Sequence, residues 1–450
     1  MIKKISRSLA VFLIVFVFET IFIYEGAADM KQKTFALKGN IFYSTDSKNI
    51  KAHEKSYLVI SEGKVAGVFE TLPEKFSGIE IKDYGEDLIM PGMIDLHVHA
   101  PQFPFRGLGM DLELLDWLNT YTFPEEKKYK DLEYAEQVYK SFTEALTASP
   151  TTRAVIFSSI HVPATKILME KLEASGLITY VGKVNMDRNS PEYLTETTEQ
   201  SLKDTEIFIN ESKNYKRTRP ILTPRFTPSC SDKLMKGLGE LKKKYNLPVQ
   251  SHLSENPSEV EWVRELCPDS KNYADTYDRA GLLDEKTIMA HCVFLKDDEF
   301  ELMAERKAFI AHCPQSNMNL ASGVAPVKRF LLRGINVGLG TDLAAGATLS
   351  MFRAIADTVG VSKLRWRFIN NEQKPLTFSE AFYMATMGGG KFFGSVGSFL
   401  PGYEADVIVL PERNSGVRRE HLLERLEQSI YLADENVKLT AKYVKGEKIF

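Results

Sequence analysis

His97-Val98-His99 is the first stretch of the chain able to do chemistry. Alternate residues of a strand point to the same side, so both imidazoles can face one metal ion. Taken alone the pair is a weak signal, because two histidines at a strand end can equally be packed or surface residues. Three more residues strengthen it: His252 in Ser251-His252-Leu253-Ser254-Glu255, His291 in Met289-Ala290-His291, and Asp342 in Gly340-Thr341-Asp342. Each closes an apolar run, so four of the eight histidines stand at strand ends, which coincidence explains poorly. Neutral imidazoles and a carboxylate are suitable zinc donors, and an open position on such an ion holds water. Glu255, three residues past His252, can reach that water or a substrate. Proton exchange there needs a pKa tuned towards neutrality. An acidic residue also suits a helix N-terminus, and the two roles are compatible.

These residues meet only if the elements carrying them share one end of a sheet. Eight apolar runs, at 88–99, 152–161, 178–187, 220–228, 248–255, 288–293, 309–314 and 335–342, alternate with charged amphipathic stretches. That alternation predicts βα units and a (β/α)8 barrel, whose active site lies at the C-terminal ends of its strands. Residues 35–87 and the far C-terminus are instead short and β-like, with turn residues such as Glu62-Gly63 between the runs. The reading is a small β-sandwich built from 30–90 and 401–450, flanking a barrel over 91–400. Two residues imitate site residues. His312, in Ala311-His312-Cys313-Pro314, reads as packed or loop-bonded. Lys183 falls on the third run, whereas in related metalloenzymes a modified lysine that bridges two metals stands on the fourth, which here offers Arg225.

Composition narrows the partners. The chain has 450 residues, 57 basic and 60 acidic, with a net charge of −3, which gives no sign of a nucleic-acid-binding surface, since that needs a clustered positive field. Cys230, Cys267, Cys292 and Cys313 form no CxxC pair and are too sparse for a disulfide framework. Cys313 precedes a proline but has no partner cysteine, which excludes the H-x-E, P-C-x-x-C zinc deaminase architecture. Residues 1–29 stand apart: Lys3, Lys4 and Arg7 precede an apolar run from Leu9 to Phe18 that Glu19 interrupts. This is a signal-like leader or short anchor, or translation begins at Met30 and the protein is cytoplasmic. The run is too short, at about 20 apolar residues required, for a comfortable membrane span.

Pro91-Gly92-Met93-Ile94-Asp95-Leu96-His97-Val98-His99 resembles the opening barrel strand of the amidohydrolase superfamily. More narrowly, residues 85–410 resemble the guanine deaminases through His99-Ala100-Pro101-Gln102, Leu114-Leu115-Asp116-Trp117-Leu118, Tyr121-Thr122-Phe123-Pro124 and Thr223-Pro224-Arg225-Phe226. The resemblance implies one zinc ion per subunit, held by His97, His99, His252 and Asp342. It implies that Gln102 and Arg225 hydrogen-bond a small-molecule purine while Phe226 packs in the pocket. Glu255, His291 and Asp342 would carry the proton transfers and orient the water, and the protein would be a homodimer. The donor pattern of a guanidinium and a carboxamide suits a ring carbonyl, although each residue can also be an ion-pair partner, a turn cap or core. The sequence departs from the family at Ala148-Ser149-Pro150-Thr151-Thr152-Arg153 and at Cys292, where a glycine is expected; neither removes a chemical group. The rivals are deamination of another purine, a pterin or a triazine, and a binding protein that kept the barrel without its chemistry.

Overall fold

The computed structural model describes residues 34–414, 416–433 and 437–450; the leader and the start-site question lie outside them. The expected run at 88–99 is two strands. Glu80–Pro91 belongs to one sheet and Met93–His99 to another. The break falls at Gly92, where a methyl group would sit 2.2 Å from Thr152 Cγ2 and where the amide donates to the Asp406 carbonyl at 3.0 Å. Only glycine allows the second barrel strand to approach this closely.

Eight parallel strands form the main sheet: Met93–His99, Thr151–Phe157, Ile178–Gly182, Thr218–Pro220, Val249–Leu253, Thr287–His291, Phe309–His312 and Asn336–Leu339. The first and eighth pair, and a bridge from Leu222 to Val249 joins the fourth to the fifth, so the sheet closes. The fourth strand is shorter than the expected 220–228, because Thr223–Pro224 turns away to pair with Val184–Asn185. Ile94, Leu96, Val155, Ile288, Ala290, Phe309 and Ala311 belong to one buried cluster inside the sheet. Outside, Val98, Ala154 and Ile156 pack against Phe142 and Leu146 of helix Leu132–Ala148 and Leu168 and Leu172 of helix Val162–Ser175. Each of these valine, isoleucine, leucine and phenylalanine side chains, fully buried, contributes about 1.5–3 kcal/mol.

The two ends of the chain do meet. One seven-stranded sheet runs in the order Glu447–Lys448, Ala441–Val444, Val407–Leu410, Glu80–Pro91, Phe35–Ser44, Ile50–Ser61, Lys64–Phe69. It is a continuous hydrogen-bonded sheet with its own buried cluster, including Leu37, Ile41, Leu58, Val407 and Tyr443. The unexpected Ala148 to Arg153 stretch fastens it to the barrel. Arg153, buried, donates to both Asp406 oxygens at 2.6 and 3.1 Å and to Glu404 at 2.5 Å.

Lys442 crosses the same seam, its ammonium donating to the carbonyls of Thr147 and Thr151. Burial pushes it from the ordinary 10.5 down to about 7. The unfolded chain therefore binds more protons between pH 7 and about 10.4, and stability rises with pH across that window. We expect Lys442→Met to raise the thermal midpoint most at pH 7 or below and the gain to vanish towards pH 10. Loss of the bonds to the Thr147 and Thr151 carbonyls offsets part of that gain at every pH. A gain independent of pH would refute burial of the charge as its cause.

Candidate active site

The first barrel strand carries a bulge. Asp95 faces Ala154 and Val98 faces Ile156, so three steps on this strand match two on its neighbour. An extra residue of this kind re-aims the side chains that follow. Leu96 joins the barrel's inner cluster, Val98 the outer one, and His97 and His99 turn inward to the strand ends. Asp95 pins the bulge: its Oδ1 accepts from the amides of His97 at 3.1 Å and Thr341 at 3.0 Å, and its Oδ2 from the Thr341 hydroxyl. Burial pushes this carboxyl up to about 6.

Three imidazole nitrogens converge. His99 Nε2 lies 3.2 Å from Nε2 of both His97 and His252, and Asp342 Oδ1 lies 3.2 Å from His97 Nε2 and 3.5 Å from His99 Nε2. Ligand atoms about 2.0–2.1 Å from a tetrahedral ion stand roughly 3.3 Å apart, so these donors fit a zinc-sized cation. The tautomer at His252 fits too, because its Nδ1 lies 2.6 Å from the Arg225 carbonyl and must donate there, which leaves Nε2 a lone pair. Burial, then the neighbouring imidazoles, holds His99 and His252 well below the usual histidine range, and so neutral. Burial works against a charged Asp342, yet His97, His291 and His99 hold its carboxyl well below the usual range.

His291 and Glu255 face this cluster. His291 Nδ1 meets Asn317 Oδ1 at 2.9 Å, and its Nε2 points between Glu255 Oε2 at 3.4 Å and Asp342 Oδ2 at 3.7 Å. Glu255 is pushed well above the carboxylate range by burial, then by the charges of Asp342 and Glu259. Ser322 donates to its Oε1 at 3.3 Å. Ser254, His291, Cys292 and Asp342 all have positive φ, from 49° to 70°. Such strain in residues with side chains gathers at functional sites, and at Cys292 it accounts for the glycine expected there.

Gln102, Arg225 and Phe226 line the same cleft with His99, His252, Glu255, His291 and Asp342, walled by Leu114, Trp117, Leu118, Leu320 and Ala345. Every site residue expected from the sequence is therefore brought together. The other two readings resolve as packing: Lys183 is ion-paired with Glu196 at 2.7 Å, and His312 is buried and kept neutral by that burial, at about 3. Sequence reasoning missed Asp95, Asn317, Cys313 and Glu126. Cys313 lies close enough to His97, His291 and Asp342 to join a metal-type group, and burial pushes its thiol well up. Glu126, buried, accepts from Gln102 Nε2 at 3.2 Å and Arg225 Nη1 at 2.7 Å. Only its place just after the Tyr121 to Pro124 motif could have drawn attention to it.

The model of the amidohydrolase family matches residues 88–448. The chain is similar to the guanine deaminase of Dictyostelium discoideum, 41% identical over 377 residues, 82% of this chain and 83% of that one. It is similar to the rat enzyme of the same name, 40% identical over 406 residues, 86% of this chain and 89% of that one. Among solved structures, guanine deaminase from C. acetobutylicum with guanine bound in its active site superposes with a TM-score of 0.89 at 45% identity, covering 93% of this chain and all of that one.

Proposed function

The chain belongs to the amidohydrolase family, and from that premise we propose that it hydrolyses guanine to xanthine and ammonia with one zinc ion per subunit. The observation that carries this reading is the meeting of Gln102 and Arg225 with Glu255 in the cleft over the imidazole cluster, together with relatives that act on guanine. His97, His99, His252 and Asp342 would hold the ion. A zinc ion there supplies Lewis acidity, making a nucleophile of water near pH 7.

The protein's own groups then divide the proton traffic. Asp342, ionised, takes a proton from the attacking water. Glu255, whose carboxyl burial pushes well above the usual range, gives one to the ring nitrogen beside the amine-bearing carbon, which makes that carbon electrophilic. His291 orients the water and the developing charge through Nε2, its ring fixed by Asn317. Arg225 donates to the ring carbonyl and Gln102 to a neighbouring acceptor, while Phe226 and Trp117 flank the ring and exclude water. Asp342 passes the proton it took to the amine, which leaves as ammonia, and the hydroxyl of the tetrahedral centre returns its proton to Glu255, leaving the second carbonyl of xanthine.

We include in this reading a homodimer, a cytoplasmic location, and a terminal sheet folded over its cluster as a small sandwich. Among the described residues no helix is long and apolar enough to cross a membrane. Purified, zinc-loaded protein should form xanthine and ammonia in equal amounts from guanine, with kcat/KM at least about 10³-fold above that on adenine, because a donor site left facing adenine's amine goes unpaired. Turnover of a pterin or triazine in preference to guanine would overturn the assignment.

A further inference from the structure

We propose that Glu126 is a positioning residue that makes the recognition site selective for a neutral ring over its anionic product. The proposal rests on the guanine reading above. Glu126 sits at the end of the short helix Phe123–Glu126, which continues directly from the π-helical turn Leu118–Thr122. Its two carboxylate oxygens are spent on different partners: Oε1 accepts from Gln102 Nε2 and Oε2 from Arg225 Nη1. All three side chains are 3% exposed or less.

Two consequences follow. The first is orientation. The amide of Gln102 has two faces that can exchange by a half-turn, but here its NH2 meets a carboxylate and its Oε1 accepts from the Ala344 amide at 3.3 Å. The flipped arrangement would set oxygen against oxygen and N–H against N–H. One Gln102 N–H and one lone pair are left for a ligand, in a fixed sense. Tyr129, whose hydroxyl donates to the Pro101 carbonyl at 2.8 Å, ties the chain beside Gln102 to the turn following Glu126.

The second consequence is charge. Arg225 is always protonated, and its guanidinium lies 5.3 Å from the Phe123 ring centre, in surroundings that screen little. Unpaired, it would attract anions. Hydrolysis replaces an amine by a carbonyl and puts a hydrogen on the neighbouring ring nitrogen, and the dioxo ring that results gives up an N–H proton more readily than the substrate does. A bare Arg225 would then hold the product anion more tightly than the neutral substrate. The Glu126 carboxylate cancels that preference, so the guanidinium recognises by hydrogen bonding and releases its product.

The test compares wild type, Glu126→Gln and Glu126→Asp for KM on guanine, kcat, zinc content and inhibition by added xanthine. In Glu126→Gln we expect kcat within about threefold of wild type, KM raised about tenfold, and the ratio of the xanthine inhibition constant to KM lowered at least tenfold. Glu126→Asp keeps the charge and should keep the wild-type ratio even though its shorter reach raises KM. A merely structural role would leave the ratio unchanged in both, and that result overturns the proposal. Should Glu126→Gln fail to fold, the double variant Glu126→Gln with Arg225→Gln, which removes both charges, is the deciding one: a ratio lowered as in the single variant's expectation would overturn the charge argument, and an unlowered ratio supports it. Wild type failing to convert guanine would overturn the guanine reading and this proposal with it, whereas wild-type turnover with unchanged ratios removes Glu126 alone.

Discussion

Glu255→Gln is expected to lower kcat on guanine by about 10²–10⁴-fold, the range that proton transfer by a positioned side chain commonly supplies, while zinc content and xanthine binding stay near wild type. The replacement is nearly isosteric and can still accept from Ser322, but it cannot give up and regain a proton. What makes the native residue a donor is its setting. Burial and the charges of Asp342 and Glu259 keep its carboxyl well above the ordinary range, which favours the protonated form that a ring nitrogen needs. Its backbone is held as firmly as its side chain is free. Glu259 Oε2 accepts from the amides of Glu255 at 2.8 Å and Asn256 at 3.2 Å, and its Oε1 from the Tyr273 hydroxyl at 2.6 Å. Asn256 in turn caps helix Pro257–Leu266, with Glu259 closing the capping box. Steady-state kinetics beside metal analysis decides the point. Activity within tenfold of wild type would mean that water or another group delivers the proton.

The parts of this site legible in the sequence are those where one residue type at one strand end is enough. His97, His99, His252, His291 and Asp342 each close an apolar run, and the parallel barrel brings such ends together whatever lies between. The parts that were hidden depend on register or on distant pairing. The bulge at Leu96 and His97 leaves no trace in composition, because it changes which face a residue takes without changing the residue. Gly92 ends one sheet and begins another only because Thr152 leaves no room for a side chain. Glu126 reads in the sequence as one more acid in the run Glu125-Glu126-Lys127-Lys128, a pattern that normally marks a solvated helix face. Its partners are 24 and 99 residues away, and nothing local announces them. Glu259 is hidden in the same way, as an ordinary helix-start acid whose second oxygen reaches backwards.

Removing the metal is expected to abolish turnover, to below about 1% of the loaded enzyme, and to lower the thermal midpoint, with one equivalent of zinc per chain restoring both. Geometry alone argues for the thermal part. Three Nε2 atoms lie 3.2 Å apart in succession beside a buried carboxylate, and the Arg225 carbonyl fixes His252 so that its lone pair cannot turn away. Without a cation these groups repel or must take up protons that burial disfavours. A cation bound to the folded chain alone stabilises it by about 4 kcal/mol when its free concentration is 1,000 times its Kd. One equivalent is the expected stoichiometry. Among the described residues a second ion would share His97 with His291, Cys313 and Asp342, where His291 is committed through Nδ1 to Asn317, and Lys183 is tied to Glu196. Metal analysis and calorimetry on chelated, then titrated protein check all of this together. Two equivalents would displace His291 from its water-orienting role, and unchanged stability on chelation would mean that the imidazole cluster relaxes when empty, against the constraints that Arg225 places on it.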